Sequence, residues 1–457
     1  MSVFEIIEIV VGFLEAEGCD ISPKDSMRNT PLGWAARNGH EEVVEILLGR
    51  EDINPDKSNE MGQSPLMLAA RNGHEGVVKI LLGQVNIKPN ETDHAGQTPL
   101  WYAAASGRSG VVELLLGRAD VDPNLPDNHC KTPLWKAARN GHEGVVELLL
   151  GRAEVDLNLA ANEGLTPLWC AVKSGHEGVA KILLERRDVD PNERDEYGQS
   201  LFWYSVLNGH EGVVKALLER GDVKPKNQGG YSQSPLWWAA SRGHEGVVKV
   251  LLESGNFDPN KPESMCGTPL CCAIWNRHEG VVKILLERGD VDPNKPNKDG
   301  LTPLWFATWQ ANWSLMKMLL GHSDIDPDKT NHEGKTPLWC AIESRHEGAL
   351  KMLLGRGDVD PNNTGWDGVT PLHYAAENGH ERIVEILLGR HDVNPNKLDG
   401  NGLTPLSCAR RSGHNRVVKI LLGRDDVDPA YQLGEECESG VRAVRPSGET
   451  RGYWMLS

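Results

Sequence analysis

A tripeptide of the form Thr-Pro-Leu recurs every 34 residues through most of this chain, and this period limits the fold more than any other feature. The tripeptide or a near variant begins at residues 30, 64, 98, 132, 166, 200, 234, 268, 302, 336, 370 and 404. The sixth copy reads Ser-Leu-Phe, and the second and seventh read Ser-Pro-Leu. A fixed period of this length is typical of a protein built from stacked, similar units.

Each unit has the pattern of two short helices joined by a tight turn. In the fourth unit, Thr132 can cap a helix, and Pro133 takes the first helical position, where no amide hydrogen is needed. Gly141 stands where the chain must reverse, which favours a positive φ. An apolar run then predicts a second helix, and a polar segment predicts a loop or hairpin. Because such short helices bury their apolar faces only against neighbours, we predict one continuous stacked core.

A His-Glu pair near the start of most second helices looks like the beginning of a zinc-peptidase motif. A helical zinc site needs a second His four residues after His142, and Val146 stands there. The histidine recurs in ten units, and only Arg108 and Asn312 interrupt the series. We therefore predict that these histidines are structural, and we expect no metal and no other cofactor.

The repeat resembles a known family. Residues 164–192, GLTPLWCAVKSGHEGVAKILLERRDVDPN, resemble the ankyrin repeat, whose pattern is G-x-T-P-L-H-x-A-A-x-x-G-H-x-x-V-V-x-x-L-L-x-x-G-A-D-V-N. The usual ankyrin period is about 33 residues, and here the extra residue falls in the Asp-Val-Asp-Pro-Asn segment, a form that resembles long arrays of filamentous fungi. The resemblance implies an all-α repeat solenoid of about 12 helix-turn-helix repeats with hairpin or loop connections.

The pattern also predicts the domain organisation. Twelve repeats cover residues 30–429. Residues 1–29 contain the segment EIIEIVVGF, which is similar to a second helix and predicts an N-terminal capping half-repeat. Residues 430–457 lose the pattern, so we expect a C-terminal tail that is partly disordered.

Composition narrows the compartment and the classes of partner. The formal net charge of -17 disfavours nucleic acid and anionic membranes as partners. No apolar run approaches the roughly 18 residues of a membrane span. Nine cysteines without a recurrent pair spacing favour a reduced, intracellular protein, and we expect it in the cytoplasm.

No sequence motif for a nucleophile, an acid–base pair or a phosphate loop stands out from the repeat, so we predict that the chain is not an enzyme. The resemblance implies a non-catalytic scaffold or adaptor that binds a protein partner on the concave ankyrin face. One alternative is the recognition arm of a larger multidomain signalling protein. A remote alternative is an enzyme whose site is built from departures from the repeat.

The largest departure is a series of tryptophans three residues after the Thr or Ser, where the family has His. We number positions from that Thr or Ser, so this position is +3. Only His373 keeps the family residue. The indoles either pack between repeats or border the binding groove. They are Trp101, Trp135, Trp169, Trp203, Trp237, Trp305 and Trp339.

Position +7 and the loop tips vary most among ankyrin proteins, and the family binds its partners there. Repeats eight to ten also replace the turn glycine, with Arg277, Ala311 and Arg345. Exposed aromatic side chains concentrate binding energy, so we predict a partner site between about residues 194 and 310, with chance drift of the repeat as the alternative. The candidate partner-binding residues are Tyr197, Leu207, Tyr231, Trp275, Trp309, Trp366, Arg71 and Arg139.

Overall fold

The structure is a computed structural model that describes residues 28–195, 197–223, 233–263 and 266–429, except for the side chain of Trp366. The chain divides into two compact units. The first comprises residues 1–239 and 244–257, and the second comprises residues 240–243 and 258–457. Each predicted terminal segment, 1–29 and 430–457, lies outside the described residues, apart from residues 28 and 29.

Over the described residues the regular structure consists of paired α-helices, with one isolated antiparallel bridge between Arg194 and Ser200. This confirms the predicted all-α repeat solenoid. A short 3-10 turn spans Trp366–Gly368. The α-helices are α1 (Pro31–Asn38), α2 (Glu41–Leu48), α3 (Pro65–Asn72), α4 (Glu75–Leu82), α5 (Pro99–Ala105), α6 (Ser109–Leu116), α7 (Pro133–Asn140), α8 (Glu143–Leu150), α9 (Pro167–Lys173), α10 (Glu177–Leu184), α11 (Leu201–Asn208), α12 (Glu211–Arg220), α13 (Pro235–Arg242), α14 (Glu245–Glu253), α15 (Pro269–Trp275), α16 (Glu279–Leu286), α17 (Pro303–Trp309), α18 (Trp313–Leu320), α19 (Pro337–Glu343), α20 (Glu347–Leu354), α21 (Pro371–Glu377), α22 (Glu381–Leu388), α23 (Pro405–Arg411) and α24 (Asn415–Leu422).

In the fourth repeat, the first helix begins and ends as the sequence predicts. At the start of α7, the Thr132 hydroxyl oxygen accepts a hydrogen bond from the backbone N–H of Trp135 at 3.1 Å. Pro133 follows at the first helical position. At the end, Gly141 adopts φ 77°, in the left-handed region. A cap of this kind stabilises a helix by about 1 kcal/mol.

The core lies between the first and second helices of each repeat and between adjacent repeats. Leu134 and Ala138 on α7, and Val146 and Leu149 on α8, are each no more than 1% exposed. First helices also pack on the first helices of neighbouring repeats, as α3 does on α5 and α5 on α7. Complete burial of one such leucine stabilises the fold by about 1.5–3 kcal/mol. The prediction of a stacked core is therefore confirmed within each unit.

The connections between repeats are turns that asparagine side chains tie together. The Asn124 side-chain amide donates to the Glu154 carbonyl at 2.7 Å, and its side-chain oxygen accepts from the Asp156 N–H at 2.8 Å. We call this recurring pair of hydrogen bonds the asparagine ladder. The asparagine is the last residue of the Asp-Val-Asp-Pro-Asn segment, and these two bonds give it a structural role in the connection. The ladder recurs at Asn90, Asn260, Asn294, Asn362 and Asn396.

Within the described ranges, no helix is both long and apolar enough to cross a membrane.

Candidate functional site

The recurrent histidines join neighbouring repeats. The Nε2 of His74 donates to the backbone carbonyl of Arg37 at 2.9 Å, and Arg37 is the +7 residue of the preceding repeat. A carbonyl accepts only, so Nε2 carries the proton. The prediction of a structural role is therefore confirmed. The same bond joins His142 to Ala105, His244 to Leu207, His278 to Ser241 and His346 to Trp309.

Metal coordination finds no support in the side-chain geometry. In the parts of the chain that the structure describes, no three His, Cys, Asp or Glu side chains converge on a point where they could hold an ion. Burial also raises the pKa of the Cys170 and Cys408 thiols to about 12. These two thiols therefore stay protonated at neutral pH and are poor nucleophiles.

The turn glycine and the next histidine fit each other. A Cβ added to Gly141 would lie 2.5 Å from Nδ1 of His176, so the ring of the following repeat fills the space above the glycine. In the second unit Arg277 takes this turn position with φ 63°, and the residue at the histidine position of the next repeat is Asn312. The Asn312 side chain instead accepts from the N–H of Leu315 at 3.2 Å. Glycine and histidine are therefore lost together at this junction.

Six of the seven +3 tryptophans are buried, and Trp305 is half-buried. Trp135, for example, is 1% exposed. The interpretation that these indoles pack between repeats is therefore confirmed for the six. Trp101 and Trp135 also line surface hollows, of about 680 and 300 Å³ respectively. The six are Trp101, Trp135, Trp169, Trp203, Trp237 and Trp339.

The indole performs the same connection as the family histidine. The Nε1 of Trp135 donates to the Leu165 carbonyl at 2.9 Å. In the one repeat that keeps the histidine, Nε2 of His373 donates to the Leu403 carbonyl at 2.9 Å. Both acceptors lie 30 residues ahead, at the same place in the next repeat. A ring N–H at +3 thus links adjacent repeats at Trp101, Trp135 and His373, whereas the Nε1 atoms of Trp169 and Trp237 are buried without a hydrogen-bond partner.

Two successive +7 residues of the second unit, Trp275 and Trp309, form an aromatic surface. Trp275 and Trp309 stack in parallel, with ring centroids 5.4 Å apart and ring planes 4° apart. Phe306 meets the Trp275 ring edge-on at 5.6 Å. Trp309 is 44% exposed and Trp275 is half-buried. We call this feature the Trp275–Trp309 stack.

Several +7 residues of the first unit are cations that lie over aromatic rings. The Arg71 guanidinium lies 5.9 Å from the Tyr102 ring, and that of Arg139 lies 5.3 Å from the Trp135 ring. Both arginines are exposed. The structure thus places both predicted basic candidates on the surface that positions +4 and +7 of the first helices form. We call this surface the first-helix face.

The other candidates are scattered. Tyr197 is 84% exposed at a loop tip, whereas Leu207 is only 8% exposed and offers little surface to a partner. Trp366 begins the 3-10 turn Trp366–Gly368. Tyr231 lies outside the described residues. Among the described candidates, the structure brings Trp275 and Trp309 into direct contact.

A polar network beside Arg71 was not predicted from the sequence. The Tyr102 hydroxyl donates to a carboxylate oxygen of Asp93 at 2.7 Å and accepts from the Gln63 amide at 2.7 Å. Burial, together with the neighbouring Asp93 carboxylate, raises the pKa of Tyr102 to about 12. The network forms one wall of the 680 Å³ hollow, which Ala105 leaves open by its small size. One signal of the hollow is present in the sequence, because the third repeat has the large Tyr102 at +4 and the small Ala105 at +7.

Comparison with known proteins agrees with the repeat architecture. The family profile described as "Ankyrin repeats (3 copies)" matches residues 3–93, 52–127, 85–161, 153–228, 202–297, 289–364 and 349–432. No curated protein matches the chain. Among solved structures, the chain is similar to the ankyrin repeat domain of Bcl-3, a unique member of the IkappaB protein family. That match has 25% identity and a TM-score of 0.46, and it covers 50% of this chain and 100% of that domain.

The matched ranges overlap along almost the whole chain, and the helix pairs, turn glycines and histidines follow the same period. The chain therefore belongs to the ankyrin-repeat family.

Proposed function

We propose that this chain is a non-catalytic protein-binding scaffold that holds a partner at the Trp275–Trp309 stack. Ankyrin repeats are generally protein–protein interaction modules. The observation that carries the proposal for this chain is the exposed, parallel pair of indoles at two successive +7 positions.

Large aromatic side chains are well suited to anchor a partner. A tryptophan buries roughly 150–250 Å² of surface when it is covered, and it has few rotatable bonds to immobilise. Stacking on Trp275 and the edge contact with Phe306 hold the indoles in place before binding. A preorganised anchor loses little entropy on association, so most of its contact energy appears as affinity.

The proposed setting is the cytoplasm, with a protein and not a nucleic acid as partner. The net charge of -17 would repel a polyanion from most of the chain. Free cysteines such as Cys170 and Cys340 are buried in the helix walls, as in a reduced protein.

The test is a titration with a partner captured and identified by affinity purification of the full chain. Trp275→Ala combined with Trp309→Ala should weaken binding by more than about 2 kcal/mol, the scale of an interface hot spot. Circular dichroism should show that helicity is kept.

Two controls separate this anchor from general effects. Trp313 is 47% exposed on α18, close to the 44% of Trp309, so Trp313→Ala is the matched change on a second helix of the same repeat. Lys215→Ala with Lys249→Ala alters exposed charges on second helices elsewhere. If either control abolishes binding and the Trp275–Trp309 variant does not, the site lies on the second helices and the proposal fails.

A further inference from the structure

We propose a second interaction surface on the first unit: the first-helix face of repeats one to five binds an acidic, extended segment of a partner protein. This surface does not include the Trp275–Trp309 stack, and its test does not depend on that site.

The face carries one sign of charge. At positions +4, +7 and +8 of the first five repeats, every side chain that is charged at neutral pH is basic. The whole chain is nevertheless acidic, with a net charge of -17. Many acidic residues of these repeats instead begin the second helices, as Glu41, Glu75 and Glu143 do, although Asp93 and Glu163 line the hollows beside Arg71 and Arg139. The basic residues of the face are Arg37, Arg71, Lys136, Arg139 and Lys173.

Aromatic rings hold several of these cations in place. Besides Arg71 over Tyr102 and Arg139 over Trp135, the Lys136 ammonium lies 5.0 Å from the Trp101 ring. A cation fixed over a ring keeps its charge and still has hydrogen-bond donors to offer a carboxylate. The row of charges is therefore partly ordered before any ligand arrives.

The cations repel one another. Burial lowers the pKa of Lys136, and the nearby Arg139 and Lys131 charges lower it further. On the second unit the equivalent charges are already paired, since Glu343 meets Lys335 at 2.7 Å and Glu377 meets Arg411 at 3.2 Å. Among the described residues, none of the five cations of the first unit makes such an ion pair, although the Asp127 carboxylate partly offsets the lowering of the Lys136 pKa. An acidic ligand would supply the missing counter-charges.

The spacing of the repeats sets the spacing of the ligand charges. Packed helices lie about 8–10 Å apart, and an extended peptide advances about 3.3 Å per residue. One acidic residue at about every third position would therefore meet successive repeats. Repeat three has Ala105 at +7, and the 680 Å³ hollow beside Arg71 and Tyr102 leaves room there for a larger side chain.

A peptide fits this face better than a nucleic acid does. Glu75 and Glu143 start the adjacent second helices, and Asp120 and Asp122 occupy the neighbouring loops. These four carboxylates are exposed, so a long polyanion that extends beyond the basic row would meet acidic surface. A single extended strand with spaced carboxylates can follow the row alone.

The test is a fluorescence anisotropy titration of the full chain. The probe is a labelled peptide of about 12 residues, long enough to span about four repeats, with Glu at every third position between Ser and Gly. Binding should be measurable at about 50 mM salt and should weaken at about 500 mM, because salt screens exposed charges. Arg71→Glu with Arg139→Glu should weaken binding by about tenfold or more. Lys79→Glu with Lys181→Glu makes the same charge change on exposed residues of α4 and α10 and should leave binding within about twofold.

Three results would overturn the proposal. The first is no binding of the acidic peptide by the wild-type chain. The second is an equal loss for both double variants, which would mean that net charge and not this face is responsible. The third is tighter binding of a DNA duplex of equal charge, which would make the face a nucleic-acid surface. A peptide with the same residues but all Glu at one end should bind more weakly, and equal binding would refute the proposed every-third spacing.

Discussion

The two units build the same repeat with different turns, and the difference shows what the glycine–histidine pair contributes. At Gly141 in the first unit, the ring of His176 packs directly over the turn. In the second unit Arg277 takes the same backbone conformation, with φ 63°, and Asn312 stands opposite. A non-glycine residue in this conformation costs about 1 kcal/mol or more. Ala311 and Arg345 also take positive φ, 48° and 56°, although His346 and His380 stand in the next repeats, so the fold tolerates the loss of the glycine at three turns.

The first-helix faces of the two units differ as well. Arg71 and Arg139 give the first unit a basic surface, whereas Trp275 and Trp309 give the second an aromatic one. The helix walls behind both faces are nearly the same, with buried leucine and alanine at the same positions. The two units therefore differ at a few exposed positions of each repeat, while the buried positions of the repeat maintain the stack.

The largest expected effect comes from the turn glycines of the first unit. Gly141→Ala places a Cβ at positive φ and 2.5 Å from Nδ1 of His176. Backbone strain and overpacking together should destabilise the protein by about 2–4 kcal/mol. Chemical denaturation of the purified variant measures this cost.

Gly175→Ala is the matched control. Its φ of 80° is the same as at Gly141 within a few degrees, but nothing lies within 4 Å of the added Cβ. The ring of His210 instead stacks near Tyr204, at 6.2 Å. This change should cost only about 1 kcal/mol, from backbone strain alone. Equal costs for the two variants would show that the histidine ring does not set the glycine requirement.

A smaller effect is expected at the one ladder position of the second unit that carries a carboxyl group. One carboxylate oxygen of Asp328 accepts from the Asp360 N–H at 2.7 Å, but the other oxygen is buried without a partner. At the equivalent position of the preceding repeat, the Asn294 side-chain amide donates a hydrogen bond to the next repeat. Asp328→Asn restores that donor and should stabilise the protein by about 1 kcal/mol at neutral pH.

The gain from Asp328→Asn should depend on pH. Burial and the nearby Asp360, Asp326 and Asp358 carboxylates raise the pKa of Asp328. Folding then favours the protonated carboxyl, so wild-type stability falls as pH rises from the ordinary value of 3.8 through the raised pKa. The asparagine does not titrate, and its advantage should grow over that window. Denaturation curves at several pH values measure it, and an advantage that shrinks with rising pH would contradict the account. Asn294→Asp is the reverse control and should lose stability most at high pH.

The smallest effect is expected at the irregular turns of the second unit. Arg277→Gly removes the strain of φ 63° and meets no histidine ring, so it should stabilise α15 and α16 by up to about 1 kcal/mol. Amide hydrogen exchange in these helices should slow. Faster exchange after Arg277→Gly would show that the arginine side chain makes contacts that outweigh the backbone strain.

Much of this architecture could be predicted from the sequence. The cap at Thr132, the positive φ at Gly141 and the structural role of the histidines follow from residue type at a fixed period. The adjacency of Trp275 and Trp309 also followed from the period, because equivalent positions of successive repeats are neighbours.

The remaining features depend on neighbouring side chains that a period does not reveal. Leu207 shares its position with exposed residues of other repeats but is buried by its surroundings. The asparagine ladder needs the three-dimensional register between a side chain such as Asn124 and backbone groups some 30 residues ahead. The hollow beside Tyr102 exists only because Ala105 is small.

The central claim is that the chain binds its partner through the Trp275–Trp309 stack, and hydroxyl-radical footprinting of the complex tests it most directly. Trp309 and Trp313 are 44% and 47% exposed and lie four residues apart on the two helices of one repeat, so they react from similar starting exposure. The account predicts that the partner protects Trp309 and leaves Trp313 as reactive as in the free chain. Protection of Trp313 with Trp309 unchanged would contradict it.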